Sequence, residues 1–132
     1  MSATAEAFTV LVVDDDDAIR GLARLALEEI GGMRVLEADN GMAAFSMATC
    51  ERVDAILLDA VMPGLDGVST LRLLRASPRT VRIPVVFLTA RRVWGDAEEL
   101  RRLGVAGQIP KPFDPGNLAH DLGEIVGNGR DD

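Results

Sequence analysis

Short apolar runs recur along the chain at 8–13, 33–36, 54–58, 84–88 and 107–109. Each is of strand length and too short for a buried helix. The segments between them change period. Ile19, Leu22, Leu25, Ala26 and Ile30 fall at helical spacing, as do Met42, Phe45, Ser46 and Thr49, and then Val68, Leu71 and Leu74. Two further segments, 96–103 and 115–126, complete a five-fold alternation of strand and helix. Parallel strands need crossover connections, and near-continuous apolar strands need cover on both faces. The pattern therefore predicts an α/β fold with a doubly wound, five-stranded parallel sheet and helices on both faces. Gly31-Gly32, Pro63-Gly64 and Gly95-Asp96 punctuate the element boundaries. A single domain is expected over 7–127, with no linker and no output domain, and the small or polar ends 1–6 and 127–132 read as flexible termini.

Composition narrows the functional classes. With 132 residues, 48% hydrophobic and 27% charged, the chain suits one globular core. No apolar stretch is long enough to span a bilayer. The net charge of -7 has the wrong sign for nonspecific attraction to nucleic acid or anionic lipid. A single cysteine, Cys50, cannot form an internal disulfide and reads as a small apolar filler on a helix, which suits a reducing cytoplasm.

In an open parallel sheet, ligands bind beyond the carboxyl ends of the strands, so the polar residues ending each strand are the ones to read. The first strand runs into Asp14-Asp15-Asp16-Asp17. Helix capping accounts for Asp16 and Asp17, but four adjacent acids repel, and Asp14 and Asp15 call for a cation. The third strand ends in Asp59, which taken alone would be an ordinary turn residue. If the two strands are parallel neighbours, Asp14, Asp15 and Asp59 converge, and three carboxylates together favour a hard cation such as Mg2+. The fourth strand ends in Thr89-Ala90, and the fifth is followed by Lys111, the only lysine among 14 basic residues. A compact ammonium reaches into a crowded site as a point charge, where a forked guanidinium fits poorly. Three carboxylates against one Mg2+ and one ammonium sum to zero, a balance suited to receiving an anionic phosphoryl group.

This constellation closely resembles the receiver domain of bacterial response regulators in two-component signalling, the chemotaxis type included. The resemblance rests on Val12-Val13-Asp14-Asp15, Leu57-Leu58-Asp59 with Met62-Pro63-Gly64 and Asp66-Gly67, Leu88-Thr89-Ala90, and Lys111-Pro112-Phe113 in that order. It implies a flavodoxin-like strand order of 2-1-3-4-5. It also implies that Asp59 accepts the phosphoryl group, that Asp14 and Asp15 organise Mg2+ with the Val61 backbone carbonyl as a further ligand, and that Lys111 pairs with phosphoryl oxygens. Thr89 would move to hydrogen-bond the phosphoryl group, and the Lys111-Pro112 peptide would be cis. The donor would be a histidine kinase, and the output would be a downstream target protein or a phosphotransfer protein. Such a domain catalyses only its own phosphorylation and dephosphorylation.

One departure stands out: receivers usually place Tyr or Phe where this chain has Gln108, so how activation reaches helix 4, strand 5 and helix 5 stays open. The loop 91–95, with Trp94, is expected to carry more of that signal. The non-acidic residues Val61 and Arg91 leave the phosphoryl lifetime open. Two other readings remain: a pseudo-receiver that binds a partner through its fold alone, and a phosphatase of the haloacid-dehalogenase type, suggested by Asp14-x-Asp16 after an apolar strand. His120 falls on the last helix away from the strand ends and reads as a solvated surface residue.

Overall fold

The structure, a computed structural model, describes residues 7–90 and 97–130. Its elements alternate as the apolar periods require: β1 Thr9–Val13, α1 Asp17–Glu29, β2 Arg34–Ala38, α2 Gly41–Cys50, β3 Ala55–Asp59, α3 Gly67–Ala76, β4 Val85–Thr89, α4 Ala97–Leu103, β5 Gly107–Pro110 and α5 Pro115–Arg130. The strands pair in parallel in the order β2-β1-β3-β4-β5. Side chains alternate across the sheet, and the core divides accordingly. Val10, Val12, Ala55, Leu57, Val86, Leu88 and Ile109 pack with α1 and α5, whereas Leu11, Val13, Ile56, Leu58, Val85 and Phe87 pack with α2, α3 and α4.

Two helices turn a different face to the sheet from the one their large apolar residues suggest. In α1 the buried residues are Ala23, Ala26 and Leu27, while Leu22 and Leu25 are 42% and 55% exposed. Ile30, just past the helix, is also exposed. In α2 the buried set is Gly41, Ala44 and Ala48, and Met42 and Ser46 face outward. Small side chains let a helix lie close to the sheet, so alanine rather than leucine marks the inward stripe here. Cys50, too, is exposed at the end of α2 rather than filling the core.

Element ends shift for local reasons. β2 starts one residue late and continues through Glu37, whose carboxylate is held by Arg20 and Arg24 at 2.8 and 2.7 Å and so tolerates a place in a strand. α5 continues through residues 127–130, expected to be frayed. A helix already nucleated gains a hydrogen bond with each added residue, so Gly127 and Gly129 weaken it without stopping it. The loop 91–95 with Arg91 and Trp94, and the ends 1–6 and 131–132, lie outside the described residues. Among the described residues no helix is long and apolar enough to cross a membrane.

The inward face of α1 can be checked by urea unfolding. Leu27→Ala is expected to cost about 2–4 kcal/mol, as a fully buried leucine does. Leu25→Ala should stay within about 0.5 kcal/mol of the parent.

Candidate phosphoacceptor site

The register of β1 against β3 pairs Val13 with Leu58, so the residues that follow, Asp14 and Asp59, emerge level at the carboxyl edge of the sheet. Local hydrogen bonds then fix each one. Asp14 donates its N–H to the Ala38 carbonyl at 3.2 Å, and its Oδ1 accepts the Asp16 N–H at 2.9 Å. Asp16 caps α1 by accepting from the Ala18 and Ile19 N–H groups. Asp17 in the first turn pairs with Arg20 at 2.7 Å. The acid run thus divides its labour, with two residues starting a helix and two left for the site.

Asp14 is fully buried and Asp59 is 4% exposed, whereas Asp15 is exposed. One oxygen from each of the three lies within 4.8 Å of the others. Lys111 reaches in from the end of β5, with Nζ 3.0 Å from Asp14 Oδ2 and 3.4 Å from Asp59 Oδ2. The ammonium, 3.0 Å away, is the cation that faces the buried Asp14 Oδ2, an oxygen that no other donor among the described residues reaches. Asp59 Oδ1 accepts the Val61 N–H at 3.1 Å, while Oδ2 faces Lys111. Burial pushes the Asp59 carboxyl up to about 6 against an ordinary 3.8. The Val61 N–H opposes that rise, the Asp14 charge adds to it, and Lys111 moderates it. For Lys111, burial alone would favour the neutral amine, but the Asp14 and Asp59 carboxylates outweigh it and hold the pKa above its ordinary value.

These residues fit a small hard cation. Mg2+ takes oxygen ligands at roughly 2.0–2.1 Å, so opposed ligands stand about 4.2 Å apart, a separation these oxygens reach with little movement. Asp14 Oδ2, which only Lys111 faces among the described residues, is the kind of atom such an ion satisfies, and the exposed Asp15 leaves a route in.

Other parts of the site are also placed. Thr89, 4% exposed, ends β4 one residue beyond Leu88, the partner of Asp59 in the ladder. Its carbonyl accepts the Lys111 N–H. The Lys111-Pro112 peptide is cis. Gln108 sits inside β5 opposite Phe87, below the strand ends. The exposed Val61 follows Asp59 in the acceptor loop. That loop is clamped by α3, because a Cβ on Gly67 would come within 2.7 Å of Ala60 Cα and the Asp59 carbonyl. His120 is exposed on α5.

Arg20 is a contributor that the apolar and acidic patterns do not reveal. Its guanidinium donates to the Asp14 carbonyl at 2.8 Å while bonding Glu37 and Asp17, so it holds the backbone of the buried carboxylate from behind. Spacing offers one signal, since Arg20 lies one helical turn past Asp17. Its contact with Glu37 needs the β1–β2 register.

A parallel 2-1-3-4-5 sheet with an aspartate trio and a lysine at its carboxyl edge defines a receiver-type signalling domain. The family model for the response regulator receiver domain matches residues 10–122, and the chain belongs to that family. Among curated relatives, the phosphate regulon transcriptional regulatory protein PhoB of Pseudomonas aeruginosa is 35% identical over 89% of this chain and 51% of its own length. Chemotaxis protein CheY-3 of Vibrio cholerae is 32% identical over 88% of this chain and 89% of its own. The chain thus spans about half the length of PhoB and of the response regulator Rre1 from Synechocystis, but nearly all of the chemotaxis relative. The solved structure of chemotaxis response regulator CheY4 of Vibrio cholerae superposes with a TM-score of 0.82 at 28% identity, covering 91% of this chain and 99% of that one. The receiver domain of sensor histidine kinase PA1611 from Pseudomonas aeruginosa, solved with a magnesium ion in its active-site cleft, gives 0.80 at 32% identity, covering 92% and 99%.

The raised Asp59 pKa has a consequence for stability. A carboxyl that binds its proton more tightly when folded penalises folding above about pH 6, and the penalty fades toward pH 3.8. In metal-free buffer at pH 7.5, Asp59→Asn should therefore stabilise the protein by on the order of 2 kcal/mol, or several degrees in Tm. The gain should shrink as pH falls below 6. Mg2+ should raise the parent Tm more than that of the variant, narrowing the difference. Parallel thermal melts of the two proteins across pH, with and without Mg2+, check all three.

Proposed function

We propose that this domain accepts a phosphoryl group on Asp59 from a partner histidine kinase, in a Mg2+-dependent reaction. Support comes above all from the buried Asp59 carboxylate, set beside Asp14 and held between the Val61 N–H and Lys111. The transfer is a displacement at phosphorus. An Asp59 oxygen forms the new P–O bond, the P–N bond to the kinase imidazole breaks, and that nitrogen keeps the electron pair.

Asp14, Asp15, Asp59 and the Val61 carbonyl would hold Mg2+, which supplies positive charge to the oxygens of the incoming group. Lys111 supplies a second positive charge without needing a proton transfer, because its ammonium is held charged by the carboxylates it faces. The Val61 N–H fixes the plane of the nucleophile. Burial of Asp14 and Asp59 limits water near the reacting atoms and strengthens each of these charge interactions. After transfer, the Asp59–Lys111 pairing seen here is replaced by Lys111 to phosphoryl. The Thr89 hydroxyl turns toward the phosphoryl group, shifting a pre-existing equilibrium at the carboxyl end of β4. The phosphorylated form acts in the cytoplasm on a downstream target protein or passes its phosphoryl group to a phosphotransfer protein.

Incubation with acetyl phosphate and Mg2+ followed by mass spectrometry tests the acceptor assignment. One phosphoryl adduct should form and disappear in Asp59→Asn and in EDTA. Labelling that survives either change overturns the assignment. Absence of any adduct favours a phosphorylation-independent binding module, and turnover of a small phosphate ester favours a phosphatase. Lys111→Arg tests the ammonium separately. Beryllofluoride, standing in for the phosphoryl group, should shift the β4 and β5 amide resonances in the parent, and in this variant the shifts should fall severalfold despite the retained charge.

A further inference from the structure

The opposite edge of the sheet has the reverse electrostatic character. Between the α3–β4 connection and the turn from α4 into β5 lies a cleft of about 290 Å³, whose lining includes Arg75, Arg82 and Arg101 together with Pro84, Gly104 and Val105. Among the described residues no carboxylate lines it. Several arginines elsewhere are neutralised: Arg20 and Arg24 by Glu37, Arg34 by Glu51, and Arg52 by Asp54. Among the described residues no acidic side chain is ion-paired with Arg75, Arg82 or Arg101, although Glu98 stands one helical turn before Arg101. In a chain of net charge -7, three unpaired guanidiniums around one cleft are a marked local excess.

Arg75 is built into the cleft. Its guanidinium donates to the carbonyls of Val81 at 3.1 Å, Ile83 at 3.0 Å and Gly104 at 2.8 Å, bracing both walls. Three of its five N–H donors are thereby used, leaving two. Gly104 has φ +88, and a Cβ there would sit 3.2 Å from Arg75 Nε. The turn thus holds its backbone directly against the guanidinium. Burial lowers the Arg75 pKa.

We propose that this cleft binds a small molecule bearing a phosphoryl or diphosphoryl group. Planar guanidinium forks match tetrahedral oxyanions with paired hydrogen bonds, and here two exposed forks, Arg82 and Arg101, flank a braced one. The volume lies just below the roughly 300–1,000 Å³ typical of ligand pockets, favouring a compact anion over a large cofactor. The adjacent cleft, lined by Val53, Asp54, Arg82, Ile83 and Pro84, contains a carboxylate and lacks this character. The site is separate from the phosphoacceptor, since it lies at the amino ends of β4 and β5 whereas Asp59 and Lys111 lie at the carboxyl edge.

Pyrophosphate titration of the metal-free protein at constant ionic strength, followed by amide and arginine Nε resonances, tests the proposal. Saturable shifts are expected at Gly104, Val105 and Ala106, and at the Nε of Arg82 and Arg101. Arg82→Gln and Arg101→Gln, both at exposed positions, should each weaken binding by about tenfold or more. Arg79→Gln, on the same edge but outside the lining, should leave it unchanged. Orthophosphate in place of pyrophosphate separates a single phosphoryl site from a diphosphoryl one, and saturation by either supports the proposal. Shifts confined to residues around Asp59 and Lys111, affinity unchanged in both variants, or equal shifts from chloride would overturn it. Equal affinity for a triglutamate peptide would also overturn it, by assigning the cleft to acidic protein segments.

Discussion

Asp14 and Asp59 end neighbouring parallel strands and stand buried side by side, with one ammonium facing both. Two like charges taken from water are costly to hold together, and much of the surrounding structure constrains them. Arg20 secures the Asp14 carbonyl, the Val61 N–H secures an Asp59 oxygen, and the absent side chain of Gly67 lets α3 press on the acceptor loop. Lys111 is in turn tied to Thr89 through the backbone. The fold itself thus holds these groups together, with their mutual repulsion only partly offset by Lys111. That residual repulsion makes the edge receptive to a cation and, once one is present, to an anion.

The fold was largely legible in the chain because parallel strands buried on both faces leave a simple trace, namely short apolar runs separated by helical periods. The site was legible for a related reason: in such a sheet the residues just after the first, third and fifth strands must gather at one edge, which brought Asp14, Asp59 and Lys111 together on paper. The helices were harder to read. The helical spacing took in Ala26 but also Leu22, Leu25 and Met42, which lie exposed, whereas close approach to the sheet favours Ala23, Ala44 and Ala48 beside Ala26. Arg20 was hidden because its partners, Glu37 and the Asp14 carbonyl, become neighbours only when β2 pairs with β1. α5 runs on to Arg130 because low intrinsic propensity at Gly127 and Gly129 says little about a helix already propagating from a packed stretch.

The division of the core has a consequence of another kind. Successive residues of β1, β3 and β4 belong to different helical layers, one shared with α1 and α5 and the other with α2, α3 and α4. The sheet thus acts as a partition between two separately packed compartments. Sequence drift in one compartment is felt chiefly by residues of the same compartment, and changes on opposite sides combine nearly independently. The helices of either layer can accordingly be remodelled for a new partner while the strand ends, common to both layers, keep the same chemistry.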